Sequence, residues 1–248
     1  MGEDVSHSGP RFYDDATVYA AYAQLRERPD SPNDTLDRPT MLALLGDVTD
    51  KRILDLGCGD AAFGCDLLAA GAGAYHGVDG SANMIAAARH NLAGTAGTVD
   101  HCGLEQWPYP EARFDRVVSR LALHYLPDLE ALFRKVWRAL VPGGQLVYSV
   151  EHPVLTAFDN ACDDGAQLSQ WVVDNYFVTG ERVTAWLGGR VVKYHRTIED
   201  HVGALQAAGF AIRGLRESRP ERRHFADAAV FERRQRFPLF LFIAAEKP

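Results

Sequence analysis

No uninterrupted apolar stretch in this chain is long enough to cross a bilayer, although apolar residues make up 47% of its 248 residues. The first ten residues are polar and lack the apolar centre of a secretory signal. A chain of this length and composition can bury a substantial core. We therefore expect a globular protein in the cytoplasm, with no membrane partner.

Cysteine is scarce in the sequence. The four cysteines, Cys58, Cys65, Cys102 and Cys162, do not have the spacing of a metal site. Such usage is typical of free thiols in a reducing compartment. We therefore expect no metal.

Positive charge is also limited, because the net charge is −7 and no basic stripe stands out. This balance disfavours a nucleic acid as the main partner. The exception is the arginine-rich stretch from Arg219 to Arg236. It also contains Glu221, Asp227 and Glu232, and we interpret it as a solvated loop or helix.

The segment from Ile53 to Asp60 is the most informative part of the chain. Ile53 and Leu54 are typical of a strand buried on both faces. Gly57 and Gly59 allow a sharp turn and a close approach of the backbone to a ligand. A strand, a glycine turn and a helix form the layout of a nucleotide site. The alternative is an ordinary strand-to-helix turn.

Two carboxylates beside this turn favour a cationic ligand. Asp55 precedes the first glycine and Asp60 follows the second. Both would repel a pyrophosphate, whereas S-adenosylmethionine carries a sulfonium and an ammonium group and no phosphate. Ala61 stands where the third glycine of the dinucleotide fingerprint could fall. Each carboxylate has an alternative role as a cap of the following helix.

Asp79 ends the next predicted strand, twenty positions after Gly59. At the tip of a neighbouring parallel strand, a carboxylate can accept both ribose hydroxyls of a nucleotide. Ser81 is the predicted N-cap of the helix that contains Met84. For Met84 the alternative to a contact with the ligand is packing in the core.

With these residues in place, the sequence resembles the class I S-adenosylmethionine-dependent methyltransferases over roughly residues 33–248. Five motifs carry the resemblance, in the family's order and at its spacing: Asp55–Gly59, Val78–Met84, Glu105–Ser119, Leu123–Asp128 and Leu140–Leu146.

The resemblance implies an α/β fold, a single Rossmann-like, doubly wound domain over residues 1–248. Its sheet is expected to be seven-stranded and mostly parallel, with an antiparallel C-terminal strand pair. Residues 1–45 are expected to form a helical lid. Residues 153–194 are expected to be an insertion that shapes the acceptor pocket.

The sequence pattern places the elements as follows. The predicted strands lie near 51–56, 74–78, 97–101, 114–119, 144–150, 210–217 and 237–245, with strand-like pieces at 171–178, 181–187 and 190–195 and a hairpin turn at Gly188–Gly189. The predicted helices lie near 16–26, 36–45, 61–71, 81–92, 128–139 and 198–208, the last capped by Thr197.

The resemblance also implies that S-adenosylmethionine is the cofactor and S-adenosylhomocysteine its product. The expected cofactor-binding residues are Asp55, Gly57, Cys58, Gly59, Asp79, Gly80, Ser81, Met84, Gly103, Leu104, Glu105, Arg120, Tyr22 and Arg26. An N-terminal arginine can hold the methionine carboxylate in relatives, and Arg26 has a surface ion pair as its alternative. Gly103 stands where many relatives have an Asp for the adenine amino group, so residues 102–105 would recognise adenine.

Methyl transfer from a sulfonium is a one-step displacement. The protein must align the acceptor, exclude water and remove a proton where the acceptor has one. Three histidines are candidate bases, namely His124, His152 and His195, because a neutral imidazole can take a proton near pH 7. The alternative for each is a hydrogen-bonded wall residue. His201 is expected on the surface of its helix.

Aromatic residues join the histidines as candidate contacts of the acceptor. Tyr13, Tyr176 and Trp186, together with His124 and His152, are the expected substrate-binding residues. Aromatic rings can stack on a planar acceptor, and hydrophobic packing is the alternative.

The sequence therefore predicts methyl transfer to a small, aromatic or heterocyclic acceptor, with the acceptor atom (O, N or C) left open. A fold relative that binds the cofactor but catalyses a step such as cyclisation is the main alternative. An NAD-dependent dehydrogenase and a non-enzymatic cofactor-binding regulator are two others. We expect a monomer or homodimer of bacterial origin that acts in secondary metabolism.

Overall fold

A seven-stranded sheet in the order β3-β2-β1-β4-β5-β9-β8 forms the centre of the protein. The computed structural model describes residues 9–26, 28, 30–157 and 171–248. Its strands are β1 Arg52–Leu56, β2 Ala74–Asp79, β3 Gly97–His101, β4 Phe114–Arg120, β5 Leu140–Glu151, β6 Gly180–Trp186, β7 Gly189–His195, β8 Ala211–Glu217 and β9 Phe240–Glu246.

Helices connect these strands and cover the sheet. They are α1 Gly9–Phe12, α2 Ala16–Arg26, α3 Arg38–Leu45, α4 Ala62–Ala69, α5 Ala82–Asn91, α6 Leu129–Ala139, α7 Pro153–Thr156, α8 Ile198–Ala207 and α9 Ala228–Arg234. A single π-helical turn, Asn33–Asp37, leads into α3. The predicted helices are confirmed to within about two residues at each end.

The direction of the strands confirms the predicted topology. The strands β1 to β5 pair in parallel, and β9 pairs antiparallel with both β5 and β8. The order reverses at β1, which has β2 on one side and β4 on the other. In an open α/β sheet, ligands bind beyond the carboxyl ends of the strands at such a point.

Both faces of the sheet are covered, as expected of a doubly wound fold. On one face Leu132 and Phe133 of α6 pack in a cluster with Tyr148 of β5. On the other face Met41 of α3 and Ile85 of α5 belong to a second cluster. All five side chains are at most 2% exposed. This double coverage explains why residues 53–56 of β1 and 146–150 of β5 are buried on both faces of the sheet.

The segment between β5 and α8 is less regular than the sequence predicts. The hairpin of β6 and β7 is confirmed, and Leu187 and Gly188, both with positive φ, form its two-residue turn. The expected turn at Gly188–Gly189 is therefore wrong by one residue, since Gly189 already pairs with Trp186. The predicted strand at 171–178 is also wrong, because those residues form no ladder. Phe158 and Cys162 lie outside the described residues.

His201 corrects a second expectation. Its side chain is 4% exposed, and its Nδ1 lies 3.2 Å from the hydroxyl oxygen of Tyr148. His201 and Leu205 are four residues apart on α8 and share the face that packs toward the core. Burial lowers the pKa of His201 to about 3. The capping box of Thr197 and Asp200, by contrast, is as predicted.

The described ranges contain neither a membrane-spanning helix nor a cluster of metal-ligating side chains. Within them, no helix has the length and apolarity that crossing a membrane requires. The same ranges contain no group of three or more histidine, cysteine or acidic side chains that could hold a metal ion.

Two helical glycines predict opposite effects of the same substitution. A Cβ on Gly64 of α4 would lie 2.2 Å from the buried ring of Tyr75, whereas a Cβ on Gly203 of α8 meets nothing within 4 Å. We expect Gly64→Ala to lower the free energy of unfolding by about 1–3 kcal/mol through overpacking. Gly203→Ala should raise it by about 0.5–1 kcal/mol through helix propensity. Denaturant unfolding measures both, and equal effects would contradict the packing described for Tyr75.

Candidate functional site

A cavity of about 1030 Å³ opens at the carboxyl edge of the sheet. The loops after the first four parallel strands and the end of β5 surround it. Its lining includes Gly57 and Gly59 after β1, Asp79 and Gly80 after β2, Gly103 to Gln106 after β3, Arg120 to Pro127 after β4, and Glu151 at the end of β5. The cavity thus lies at the strand-order reversal, where the fold favours a ligand.

The turn after β1 has the glycine geometry that the sequence predicts. Gly57 has φ +73°, and a Cβ there would lie 2.3 Å from the Cβ of Ala122. Gly59 has φ +55°. Ala61 adopts φ +57°, a left-handed conformation that costs an alanine about 1 kcal/mol. Glycine at the first two positions brings bare backbone to the cavity.

Asp79 lies at the tip of β2 and lines the cavity. The backbone N–H of Gly59 donates to its Oδ2, and that of Ser81 to its Oδ1, both at 2.9 Å. Burial raises the pKa of Asp79, and these two N–H donors oppose the shift. Each oxygen keeps a lone pair for a hydroxyl donor on a ligand.

Asp55 lies beneath the glycine turn and does not line the cavity. It is 2% exposed, and its Oδ2 accepts a 2.8 Å hydrogen bond from the hydroxyl of Tyr75. Its Oδ1 is buried and has no hydrogen-bond partner in the described part of the chain. Burial raises the pKa of Asp55 to about 7. A cationic donor near the turn would satisfy the orphaned oxygen and favour its ionised form.

Gln106 is a lining residue that the sequence reasoning missed. A Cβ on Gly103 would lie 2.2 Å from Oε1 of Gln106, so the absence of a side chain at Gly103 makes room for this amide. Leu104 and Glu105 also line the cavity, as predicted for this loop. The sequence signal that could have found Gln106 is its position three residues after Gly103, in the same tight turn.

The N-terminal segment reaches the same cavity. Tyr13, Tyr22 and Arg26 line it. Asp14 fixes the segment to the start of α5, because its Oδ1 accepts a 2.7 Å hydrogen bond from Ser81. Ser81 is therefore an N-cap of α5, as predicted, and is fully buried rather than part of the lining.

Two arginines of the predicted set line the cavity and already have carboxylate partners. Arg120 donates to the buried carboxylate of Asp37 at 2.5 Å and to the carbonyl oxygen of Asn33 at 2.9 Å. Arg26 pairs with Asp34 at 3.1 Å. The ion pair that was the alternative for Arg26 is present, and Arg26 lines the cavity as well.

His124 is the histidine of the three candidates that lines the cavity. It is 4% exposed, and burial lowers its pKa to about 4, so the imidazole is neutral near pH 7. The backbone N–H of Glu151 points to its Nδ1 at a long 3.5 Å. This contact favours the tautomer with the proton on Nε2.

Glu151 extends this wall, while its partner Lys193 does not line the cavity. Neither was a predicted site residue. Lys193 is 4% exposed and pairs with Glu151 at 2.6 Å. Its ammonium group also lies 5.6 Å from the ring centroid of Trp186, which lines the cavity as predicted. The local sequence around a lysine on a hairpin strand does not reveal whether its side chain is buried, because tertiary packing decides its burial.

The other two histidines lie outside the lining. His152 caps α7 through Nδ1 and contacts Glu217 through Nε2 at 3.1 Å. His195 contacts Thr156 at 2.7 Å and the carbonyl oxygen of Tyr176 at 2.9 Å. Both ring nitrogens of each histidine therefore face protein groups, which matches the alternative of a wall residue better than that of a base.

Of three further predicted site residues, one lines the cavity and two do not. Met84 lines the cavity and is 4% exposed. Cys58 and Tyr176 do not line it. Burial keeps the pKa of the Cys58 thiol well above its usual range, so the thiol stays protonated.

The donor set fits a cationic nucleoside such as S-adenosylmethionine. Asp79 lines the cavity with two carboxylate oxygens that suit the ribose hydroxyls. The close contact of Gly57 with Ala122 leaves no room for a side chain at the turn. A volume of about 1030 Å³ exceeds the usual size of a single-ligand pocket. The cavity therefore has room for a cofactor and a small acceptor.

The raised pKa of Asp55 predicts a pH-dependent stability. The carboxyl titrates near 7 in the folded protein and near 4 when unfolded, so the folded state binds more protons between these values. Stability therefore falls as the pH rises through this window. We expect a loss of about 2 kcal/mol between pH 5 and pH 7 that Asp55→Asn abolishes. Denaturant unfolding without ligand measures it.

The matched control is Asp60→Asn, in the same turn, where either side chain can accept from the N–H of Ala62. This variant should keep the pH dependence of the wild type. If Asp55→Asn and the wild type had the same pH dependence of stability, Asp55 would not be its source.

Comparisons with known proteins agree with this geometry. The family model of the methyltransferase domain matches residues 53–144. An S-adenosylmethionine-dependent methyltransferase from Mesorhizobium loti is 35% identical with a TM-score of 0.77, over 90% of this chain and 99% of that one.

Two curated sequences are also similar. An uncharacterised protein from Haemophilus influenzae is 30% identical, over 83% of this chain and 85% of its own. A fatty-acid O-methyltransferase from Mycolicibacterium smegmatis is 30% identical, over 58% of this chain and 56% of its own. The fold, the cofactor geometry and these relatives together show that the chain belongs to the class I S-adenosylmethionine-dependent methyltransferases.

Proposed function

We propose that this methyltransferase acts on a small aromatic or heterocyclic acceptor. The observation that carries the proposal is the aromatic wall of the cavity. The rings of Tyr13 and Tyr22 lie 5.2 Å apart, those of Tyr13 and Tyr125 6.4 Å apart, and those of His124 and Tyr125 4.4 Å apart. All four residues line the cavity. Such a wall suits a planar acceptor through offset or edge-to-face contacts.

The cofactor half of the cavity is proposed to lie over β1, β2 and β3. Asp79 would hold the ribose, and the loop from Gly103 to Gln106 would contact the adenine. Gly57 would allow the amino acid part to lie against the backbone. When bound, S-adenosylmethionine supplies a methyl group on a positively charged sulfur that is already a good leaving group.

The tyrosines would contribute as neutral groups. Burial raises the pKa of Tyr13, Tyr22 and Tyr125, so their hydroxyls stay protonated near pH 7. The hydroxyl oxygens of Tyr13 and Tyr125 lie 3.0 Å apart and form one hydrogen bond. Their ring faces can stabilise a nearby cation, and their bulk excludes water from the reacting groups.

His124 is the residue that we propose to orient the acceptor and to receive its proton where it has one. It lines the cavity beside Tyr125 and follows β4, on the side away from Gly103. It is neutral near pH 7 because burial lowers its pKa to about 4. It can therefore form a hydrogen bond without first losing a proton.

Two segments are proposed to close the site. Residues 9–26 would act as the lid, since Tyr13 and Tyr22 reach the cavity while Asp14 is fixed to α5. The hairpin of β6 and β7 would shape the acceptor side, where Trp186, Val192 and Tyr194 join the lining.

The deciding experiment uses S-adenosylmethionine labelled on its methyl group, with a panel of phenols, aryl amines and heterocycles. Label in the acceptor product, together with S-adenosylhomocysteine, supports the proposal. A modified acceptor without label would identify a step such as cyclisation. Label transfer to aliphatic acceptors alone would contradict an aromatic acceptor.

Asp79→Asn should weaken the binding of S-adenosylmethionine and S-adenosylhomocysteine about 10- to 100-fold, because charge-assisted hydrogen bonds to the ribose are lost. Calorimetric titration measures this, with NAD as a parallel ligand. Asp100→Asn is the matched control, since Asp100 pairs with His76 and Trp107 outside the cavity. Equal binding by both variants would contradict the role of Asp79.

His124→Asn should lower kcat on the order of 100-fold and leave cofactor binding within a factor of two. Because protonation of His124 requires a pH near 4, the wild-type kcat/KM should show no decline due to this group between pH 5 and pH 8. The pH profiles of both proteins measure this. A decline near pH 6.5 that disappears in the variant would contradict the buried, neutral state. His152→Asn is the control outside the lining.

A further inference from the structure

We propose that the acceptor carries an anionic group, a carboxylate or a phosphate, and that Arg28, Arg233 and Arg234 bind it at the cavity mouth. The inference rests on the proposed function, because it names the chemical class of the acceptor in that same site.

Three arginines from two distant segments meet in the lining of one cavity. Arg28 lies between α2 and α3, whereas Arg233 and Arg234 end α9. The whole chain has a net charge of −7, so a local excess of positive charge is against its overall balance. Basic side chains that converge on a cavity are typical of a site for an anion.

Acidic residues of the described lining offset this cluster only in part. The carboxylates in that lining are Asp30, Asp79, Glu105 and Glu151. Asp79 and Glu105 follow β2 and β3, and Glu151 is paired with Lys193 at 2.6 Å. Asp30 is the remaining carboxylate, and its charge favours the charged form of Arg234.

Two of the three acids of the arginine-rich stretch are engaged elsewhere. Asp227 caps α9 through the N–H of Ala229 at 2.8 Å. Glu221 pairs with Arg223 at 2.8 Å. The expectation that Arg219 to Arg236 is a solvated stretch holds for Arg223 and Arg233, which are exposed, whereas Arg234 is partly buried in the lining.

The three guanidinium groups are free to bind a ligand. Within residues 9–26, 28, 30–157 and 171–248, their side chains form no hydrogen bond or ion pair. Nε of Arg234 is buried and has no acceptor among those residues. Burial and the neighbouring charge of Arg233 lower the pKa of Arg234, and the charge of Asp30 opposes this shift in part. A carboxylate or phosphate would supply two or more acceptor oxygens.

The cluster lies on the acceptor side of the cavity. In the chain α9 leads directly into β9, whose first residue is Phe240. Phe240 lines the cavity and pairs in register with Glu151 at the end of β5. In the strand order, β5 and β9 lie beyond β4, on the opposite side of β1 from β2 and β3. The anion would therefore be part of the acceptor rather than of the cofactor.

A purely structural role is the alternative, because cations at the C-terminus of a helix complement its dipole. If the arginines have only this role, their substitution lowers the stability of the protein and leaves the binding of ligands unchanged. The variant Arg233→Gln/Arg234→Gln separates the two, and Arg223→Gln is a control on the same stretch outside the lining.

The first experiment titrates inorganic phosphate and, separately, acetate into the protein saturated with S-adenosylhomocysteine, at low ionic strength, with calorimetric or NMR detection. We expect saturable binding of at least one anion by the wild type and by Arg223→Gln, and binding at least tenfold weaker in the double variant. Preference for phosphate or acetate identifies the group. Absence of saturable binding, or equal binding by all three proteins, would overturn the proposal.

The same samples separate this inference from the proposed function. S-adenosylhomocysteine should bind all three proteins with affinities that agree within a factor of two. A failure of that binding would refute the proposed function, whereas the anion titration reports on the arginines alone. In turnover with matched acceptors, the double variant should raise KM for the anionic acceptor at least tenfold. A neutral acceptor with a lower KM than its anionic partner would also overturn the proposal.

Discussion

The pairing of β1 with β2 on one side and β4 on the other is the constraint on which the site depends. This arrangement brings the ends of three parallel strands to one edge, where the N–H of Gly59 can reach the carboxylate of Asp79 at 2.9 Å. The hydroxyl of Ser119 on β4 donates to the carbonyl oxygen of Leu56 at 2.6 Å and fixes the end of β1. The turn at Gly57 therefore leaves the sheet at this edge, where its backbone lines the cavity.

Buried charges around the cavity are stabilised in different ways. Arg120 with Asp37, and Lys193 with Glu151, form close pairs that offset part of the cost of desolvation. Asp55 has no cationic partner at hydrogen-bond distance, and burial raises its pKa to about 7. His124 is uncharged because burial lowers its pKa to about 4. The surroundings of the cavity thus combine paired charges with groups whose pKa burial shifts, which is typical of a functional site.

Predictions that rest on a local motif agree well with the structure, while predictions that rest on isolated residues agree less well. Gly57, Gly59 and Asp79 meet at the cavity because a strand followed by a glycine turn fixes its own geometry over a few residues. The three candidate histidines had equal standing in the sequence, since each lies near the end of a strand or helix. His124 alone among them lines the cavity, and His201 is buried against Tyr148 instead of exposed. A single polar residue carries no periodicity that reveals which face it occupies.

The sequence by itself determined the α/β architecture, the strand order expected of the family, and the glycine turn and Asp79 at the edge of the cavity. These features depend on hydrophobic periodicity, glycine and capping residues, which act over short distances along the chain. The tertiary structure alone decided the remaining walls of the cavity. It buried Lys193 beside Glu151 and brought Arg28 to the same cavity as Arg233. Those contacts join segments far apart in sequence, and no local pattern specifies them because a single charged side chain carries no periodicity that reveals its tertiary partner.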